Sequence, residues 1–237
     1  MIPSQNRDLR VEGLRQQWKS KLEQHRAIAV IRTDNYQTGI KALLAAAQGG
    51  MRLLEVTWNS DRPEKIISTL RQRLPHYTIG VGTLRSPQDA ERAIAAGAQF
   101  CFSPHASPEI IEVAIAHHCP MIPGALSPTE IIAAWEAGAS AVKVFPAGDM
   151  GGAHYIKSLS PVMPDIPLVP SGGVTLDNSA AFIKAGAIAV GLSRELFPRD
   201  ALESQDWASI TRYARNLLRG VAPETPLKGQ RPLRIPV

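Results

Sequence analysis

Residues 137–146 read Ala-Gly-Ala-Ser-Ala-Val-Lys-Val-Phe-Pro. The glycine is typical of the left-handed residue that ends a helix. The run 141–146 that follows is rich in β-branched and aromatic residues, as in a buried strand. Lys143 lies in the middle of it, where a charge is costly unless it is paired or neutralised. A neutral lysine in an apolar pocket is a nucleophile towards carbonyl groups, whereas an edge-strand lysine that reaches water is structural. The strand alone does not decide between the two.

The helix end at Gly138 has three counterparts, each directly before an apolar run. They lie at residues 48–50, 96–98 and 185–187. Three helix starts are repeated as well, each with a serine that can cap the helix and a proline in its first turn. They lie at residues 86–87, 107–108 and 127–128. Repetition of both signals indicates a chain that is built from βα units.

Eight apolar runs alternate with eight stretches of helical periodicity. The predicted strands are residues 28–33, 53–58, 78–84, 100–104, 121–126, 141–146, 167–174 and 187–193. The predicted helices are residues 38–48, 62–73, 87–96, 107–118, 128–137, 152–160, 177–185 and 203–219. Eight βα units in 237 residues predict an α/β protein of the (β/α)8 TIM-barrel class. A doubly wound sheet is less favoured, because no G-x-G-x-x-G motif follows the first strand.

The two ends of the chain differ from this repeated region. Residues 1–26 are polar and charged, and predict an N-terminal helix that covers one end of the domain. The apolar residues at helical spacing in that helix are Val11, Leu14, Trp18 and Leu22. Residues 27–220 are the predicted barrel. Residues 221–237 are predicted to be a proline-rich basic tail without periodicity.

Composition argues against several classes of function. Hydrophobic residues make up 44% of the chain and charged residues 20%, and no apolar run is long enough to span a bilayer. We therefore expect a cytoplasmic protein with no membrane partner. The net charge of +5 is modest and no basic patch is interleaved with aromatic residues, so we expect no nucleic-acid partner. Neither the cysteines nor the histidines show metal-ligand spacing, so we expect no metal and no cofactor.

Three charged residues lie within or at the end of the predicted central strands: Arg32, Glu55 and Lys143. Active sites of TIM barrels lie at the carboxyl ends of the strands. Side chains alternate along a strand, so Glu55 and Lys143 are both predicted to face the mouth of the barrel. A structural ion pair is one interpretation of the two residues. With Arg32 nearby, a catalytic pair is favoured.

Glycine turns follow the last two predicted strands. Ser171, Gly172 and Gly173 follow the seventh strand, and Gly191 and Ser193 end the eighth. Backbone amides after these two strands form the common phosphate site of the TIM-barrel fold. Glycine lets the backbone approach an anion closely, so the pattern predicts a phosphate-binding site.

Taken in order, the motifs resemble the family of 2-keto-3-deoxy-6-phosphogluconate (KDPG) aldolases and 4-hydroxy-2-oxoglutarate (KHG) aldolases. The resemblance covers about residues 27–200. The segments that carry it are LEVT (54–57), GVGTL (80–84), AGAQF (96–100), SP (103–104), IPG (122–124), PTE (128–130), KVFPA (143–147), GG (151–152), PSGGV (170–174) and GLS (191–193).

The resemblance implies a class I aldolase on a (β/α)8 barrel, usually a homotrimer, with a small keto-acid phosphate as its substrate. It implies that Lys143 forms the Schiff base and that Glu55 is the general acid and base. It also implies contacts of Thr83 with the pyruvate carboxylate and of Pro104 and Phe145 with the imine. The residues implied to bind phosphate are Ser171, Gly172, Gly173 and Ser193.

The sequence departs from the family pattern near the implied carboxylate contact. Asn59 stands where many members have an arginine, and Asn59-Ser60 resembles the family's aldolase for the galactonate analogue. Arg32 matches an arginine of some members, and we expect it to hold the carboxylate alone or with Asn59. In the phosphate site, Ser171 replaces a commoner threonine and Leu192 replaces a glycine.

The expected function is cleavage of KDPG to pyruvate and glyceraldehyde 3-phosphate, with cleavage of KHG to pyruvate and glyoxylate as a second activity. The first alternative is the galactonate-analogue aldolase of the same family. The others are a different phosphate-binding barrel enzyme, such as an isomerase with Glu55 as base, and a non-catalytic sugar-phosphate-binding protein. Reductive trapping of pyruvate on Lys143 separates an aldolase from the last two.

Overall fold

Parallel strands alternate with helices along residues 4–222, the part of the chain that the structure, a computed structural model, describes. The strands there are β1 (Ala27–Ile31), β2 (Leu53–Thr57), β3 (Thr78–Gly82), β4 (Cys101–Phe102), β5 (Met121–Ile122), β6 (Gly124–Ala125), β7 (Val142–Val144), β8 (Leu168–Pro170) and β9 (Val190–Leu192). The helices are α1 (Ser4–His25), α2 (Tyr36–Gln48), α3 (Pro63–Arg73), α4 (Pro87–Ala95), α5 (Pro108–Ala116), α6 (Pro128–Glu136), α7 (Ala153–Leu159), α8 (Ser179–Lys184), α9 (Arg199–Glu203) and α10 (Trp207–Val221). The predicted proline-rich tail lies outside the described residues from residue 223 onward.

The strands pair in two parallel sheets, which confirms the predicted α/β class. One sheet has the order β5-β4-β3-β2-β1-β9 and the other has the order β6-β7-β8. The stretch 121–126, predicted as one strand, is therefore two strands, because Pro123 lies between them and has no N–H to donate to a ladder. At the other edge, Ser171 and Gly191 form an isolated parallel bridge between the loop after β8 and strand β9.

Local capping signals explain where several helices begin and end. The hydroxyls of Ser86, Ser107 and Ser127 each accept a hydrogen bond from a backbone N–H in the first turn of the following helix, as predicted. The glycines predicted to end helices have positive φ angles between 103° and 108°, where only a residue without a Cβ is unstrained. They are Gly50, Gly97, Gly138 and Gly186.

The helix predicted over 203–219 is α10, but it begins at Trp207, and the predicted first residue, Glu203, ends the separate short helix α9. Gln205 lies between them with a φ of 57°, outside the helical region. The Asp206 carboxylate then accepts from the Ser209 N–H at 3.0 Å and caps α10. A side-chain cap of this kind starts a new helix rather than continuing the old one.

A small cluster of apolar side chains fills the interior at the amino ends of the strands. Trp18 and Leu22 of α1 are fully buried in it, as the predicted N-terminal helix required. The Trp18 ring lies 4.8 Å from the Phe100 ring, centroid to centroid. Gly80 leaves room for Phe100, because a Cβ there would lie 2.4 Å from the phenyl ring. Helix α1 therefore covers the end of the strands opposite to their carboxyl ends.

We predict that Trp18→Ala lowers the free energy of unfolding by about 3–5 kcal/mol, the usual cost of removing a buried aromatic ring. The indole N–H has no hydrogen-bond partner among the described residues, so packing accounts for the loss. Guanidinium denaturation followed by circular dichroism measures it. Leu9→Ala is the control, because Leu9 is on the same helix and 74% exposed. Equal midpoints for the two variants would contradict the assigned role of Trp18.

Candidate active site

All the candidate residues named from the sequence line a cavity of about 1600 Å³ at the carboxyl ends of the strands. They come from β2, β7 and β9 and from the loops that follow the strands. The residues are Arg32, Glu55, Asn59, Thr83, Pro104, Lys143, Phe145, Ser171, Gly172, Gly173, Gly191 and Ser193. The structure thus brings together side chains that are more than 160 residues apart in the chain.

Glu55 lies on β2, where every residue is buried, and its side chain is 2% exposed. Its carboxylate reaches the neighbouring strand β3. A Cβ at Gly82 would stand 1.7 Å from Glu55 Oε1, so only glycine at this position leaves space for the carboxylate. Gly82 was not among the predicted site residues, because its pairing with Thr57, two residues beyond the glutamate, is visible only in the structure.

Lys143 lies on β7, paired with Gly124 on one side and Val169 on the other. Its ammonium nitrogen lies 4.7 Å from the centroid of the Phe145 ring and 5.9 Å from that of Phe102. Phe102 belongs to the interior cluster, so the lysine faces inward, as its place in the strand predicted. Both rings are apolar and carry no carboxylate that could form a salt bridge with this nitrogen. Phe102 was not among the predicted site residues.

Burial is the largest cause of the pKa shifts of Glu55 and Lys143. It raises the pKa of Glu55 to about 7, against the opposing effect of the positive charges of Lys143 and Arg32. Burial lowers the pKa of Lys143; the Glu55 carboxylate opposes this and Arg32 adds to it. The ion pairs between described side chains all lie on the surface, and none includes Glu55 or Lys143. A carboxyl group with a pKa of about 7 that is not locked in a salt bridge can gain and lose a proton near neutral pH.

Four further candidates follow β1, β2, β3 and β4, which are neighbours in the sheet. Arg32 and Asn59 have exposed side chains at the mouth of the cavity. Thr83 has a φ of 62°, which is strained for a β-branched residue. Strain of this kind is concentrated at functional sites. Pro104 lies on the same side of the cavity.

The glycine turn after β8 packs tightly against the loop after β7. Gly172 and Gly173 have φ angles of 76° and 78°, and a Cβ at Gly173 would lie 2.7 Å from the Gly148 Cα. The Gly172 carbonyl accepts from the Gly148 N–H at 2.8 Å. Within the described chain, the amides of Gly172 and Gly173 donate to no backbone carbonyl. Two such amides in succession form a concavity that suits an anion.

Charged residues at the rim of the cavity were not predicted from the sequence, because they lie in loops and in the short helix α9. Arg194 directly follows Ser193 and places a cation beside the glycine turn. The other charged rim residues are Asp34, Asp61, Asp149, Glu195, Arg199 and Glu203.

Among residues 4–222, no group of three or more histidine, cysteine, aspartate or glutamate side chains is placed to hold a metal ion. That no metal or cofactor is required stays a prediction. None of the described helices combines the length and the apolar character that crossing a membrane requires.

Parallel strands with a buried acid and a half-buried lysine near their carboxyl ends are an arrangement of α/β enzymes. The family model "KDPG and KHG aldolase" matches residues 18–213. The chain therefore belongs to the KDPG and KHG aldolase family, as the motifs indicated, and is a lyase.

Curated relatives match most of the chain. The 2-dehydro-3-deoxy-phosphogluconate aldolase of Treponema pallidum is 31% identical over 198 residues, which cover 84% of this chain and 94% of the relative. That of Pseudomonas aeruginosa is 32% identical over 197 residues, covering 83% and 90%. The KHG/KDPG aldolase of Escherichia coli K12 is 28% identical over 193 residues, covering 81% and 91%.

Solved structures share the fold. A KDPG aldolase from Legionella pneumophila, with pyruvate captured as a covalent carbinolamine, has a TM-score of 0.78 and 27% identity and covers 84% of this chain and 97% of its own. A native KDPGal structure has a TM-score of 0.76 and 28% identity, covering 82% and 93%.

We predict that the buried Glu55 makes the folded state less stable as the pH rises from about 5 to 8. Its pKa is raised to about 7, so the folded state holds a proton that the unfolded state has released, and the free energy of unfolding falls across this window. In the wild type this fall in the free energy of unfolding should be on the order of 2–3 kcal/mol, and the Glu55→Gln variant should lack it. Denaturation at a series of pH values measures it.

Glu109→Gln is the matched control for the pH series. Glu109 is exposed, and hydrogen bonds, first of all from the Ser107 hydroxyl, lower its pKa, so its titration lies below the window. This variant should keep the wild-type slope. A Glu55→Gln variant with the same slope as the wild type would show that Glu55 does not titrate in this range.

Proposed function

We propose that this aldolase cleaves a 2-keto-3-deoxy-sugar acid phosphate into pyruvate and a phosphorylated aldehyde, through a Schiff base on Lys143. The preferred substrate is KDPG, which gives glyceraldehyde 3-phosphate, and KHG is cleaved to pyruvate and glyoxylate. The observation that carries the proposal is that the buried Glu55 and the half-buried Lys143 share one cavity, where desolvation raises the pKa of the acid and lowers that of the amine. The glycine turn lines the same cavity.

Lys143 is the nucleophile in this proposal. Burial among aromatic rings lowers its pKa, which increases the neutral fraction that can attack the C2 ketone. The amine adds to C2 to give a carbinolamine, and loss of water leaves an iminium. The covalent pyruvate adduct in the Legionella pneumophila relative supports this step. The positive iminium then accepts the electron pair of the breaking C3–C4 bond.

Glu55 is the general base and acid. As a carboxylate it takes the proton of the C4 hydroxyl, directly or through a water molecule, and the C3–C4 bond breaks to give the aldehyde and an enamine. The protonated Glu55 then returns the proton to C3, and hydrolysis of the pyruvyl iminium frees Lys143. A pKa of about 7 suits a group that must act in both directions at neutral pH.

The remaining residues orient the substrate. Arg32, Thr83 and Asn59 bind the carboxylate of the keto acid. Pro104 and Phe145 exclude water from the imine. The phosphate is bound by the amides of Gly172 and Gly173, with Ser171, Gly191 and Ser193 on the adjoining strand ends.

The galactonate-analogue aldolase is the alternative substrate assignment. The pair Asn59-Ser60 supports it, as does the similarity to a native KDPGal structure. Membership of the aldolase family argues against an isomerase and against a non-catalytic binding protein. Steady-state kinetics with the gluconate, galactonate and hydroxy-oxoglutarate substrates distinguish the aldolase assignments, and the highest kcat/KM identifies the substrate.

We also propose that the two sheets close into one (β/α)8 barrel. The short strands β5 and β6 follow each other across Pro123 and link the sheets at one edge. The Ser171–Gly191 bridge links them at the other. In this proposal residues 1–26 are an extension and residues 27–220 are the barrel, followed by the tail 221–237.

Lys143→Ala should abolish reductive trapping of pyruvate, because its amine supplies the only imine in the proposed reaction. Incubation with pyruvate and borohydride followed by mass spectrometry of peptides detects the adduct. Lys157→Ala is the control, because Lys157 is exposed on α7 and does not line the cavity. It should be trapped like the wild type. A pyruvyl adduct on any lysine other than Lys143 would overturn the assignment.

Arg32→Ala should lower kcat/KM by about ten- to a hundredfold, since a hydrogen bond to a charged group contributes roughly 1.5–3 kcal/mol. The loss should be equal for KDPG and for the unphosphorylated KHG. Arg85→Ala, an exposed arginine outside the cavity, is the control and should keep wild-type kinetics. A loss that is confined to KDPG would place Arg32 at the phosphate instead of the carboxylate.

A homotrimer is the assembly implied by the resemblance, and we propose it for this chain. Light scattering in dilute buffer should give about three times the chain mass of 25.6 kDa. A monomer mass would contradict this assembly.

A further inference from the structure

Two loops at the mouth of the cavity are joined by hydrogen bonds between residues far apart in the sequence. The first loop follows β1 and carries Arg32. The second follows β2 and carries Asn59. The Asp61 N–H donates to the Thr33 carbonyl at 2.8 Å. The Asp61 carboxylate accepts from the Tyr36 N–H at 3.1 Å.

The Ser60 hydroxyl lies at the centre of this junction. It accepts from the Thr33 N–H at 3.2 Å and lies 3.0 Å from the Thr57 hydroxyl. Ser60 and Thr33 are each 8% exposed and Thr57 is 3% exposed. A hydroxyl has one donor and two acceptor sites, so Ser60 satisfies both neighbours at once. Removing it would leave a buried N–H without its partner, which is costly.

The bonded residues are next to those that project into the cavity. Arg32 directly precedes Thr33, and Asn59 directly precedes Ser60. Both Arg32 and Asn59 have exposed side chains that line the cavity. The Ser60 hydroxyl, together with the hydrogen bonds of Asp61, therefore fixes the relative position of the two backbone segments that carry the guanidinium and the amide.

We propose that Ser60 is a positioning residue for the carboxylate of the keto acid, acting by holding Arg32 in register with Asn59. This inference rests on the proposed aldolase function. Asn59 is short and neutral, so it can share a carboxylate with Arg32 only if the two loops keep a fixed distance. Ser60 lines the same cavity, but its hydroxyl is engaged by Thr33 and Thr57, so its loss should weaken binding rather than the chemical step.

Pyruvate is the probe, since it carries the carboxylate and no phosphate. Its half-saturating concentration is measured by borohydride trapping on Lys143. KM and kcat for KDPG are measured separately by steady-state kinetics. Ser60→Ala should raise both the half-saturating concentration and KM by about 3- to 10-fold, the equivalent of one hydrogen bond, with kcat within about twofold. Ser60→Thr keeps the hydroxyl and should restore wild-type values. If Ser60→Ala does not fold, Ser60→Cys keeps the volume with only a weak acceptor.

Ser209→Ala is the control for loss of a buried hydroxyl. Ser209 is 7% exposed and donates to Asp206 at 2.5 Å at the start of α10, outside the cavity. It should lower thermal stability and leave pyruvate binding unchanged. The role of Ser60 is overturned if Ser60→Ala leaves the half-saturating concentration of pyruvate unchanged, or if Ser209→Ala changes it equally. The aldolase function still stands in either case, provided that the wild type traps pyruvate. Failure of the wild type to trap pyruvate overturns both.

Discussion

The desolvation of one acid and one amine inside the same cavity is the constraint on which the other features of this protein depend. Water that reached Lys143 and Glu55 would restore their ordinary pKa values, because burial is the largest cause of both shifts. Phe102 of the interior cluster lies near the lysine, with its ring centroid 5.9 Å from the amine nitrogen. Trp18 of helix α1 packs on that cluster. A helix at the amino ends of the strands thus contributes to the electrostatics at their carboxyl ends.

Space for the buried acid comes from the backbone of the neighbouring strand. The Glu55 carboxylate occupies the volume that a side chain at position 82 would need. Glycine has no side chain to pack at this end of β3, so its presence here is explained by the space that the carboxylate needs. Gly172 and Gly173 line the cavity too, and their positive φ angles and the close approach of Gly173 to residue 148 leave no room for side chains there. The absence of a Cβ at these three glycines therefore shapes the site as much as the side chains of the other residues do.

Signals that are local in the sequence predicted the fold and most of the candidate site. Serine caps and glycine helix ends act within one turn, and alternation along β2 and β7 placed Glu55 and Lys143 on the inner face. Contacts between distant residues were not predictable in this way. Nothing in a single sequence pairs Glu55 with Gly82, or Thr33 with Ser60. The split of a strand at Pro123 and the break between α9 and α10 were missed, because apolar and helical periodicity outweighed a single interrupting residue.

Candidate site residues on strands and those on loops differ in how easily they can be substituted, and this bears on how substrates are distinguished. Lys143 and Glu55 lie on strands whose hydrogen bonds to both neighbours fix them, so the chemical step proposed for them would tolerate little change there. Arg32, Asn59 and Arg194 lie on loops, where substitutions are accommodated more easily. Loops are precise only if something holds them, and here buried hydroxyls and backbone bonds do so. Substrate preference within this family can therefore differ through residues that only position the contacting side chains, even where the reacting groups are identical.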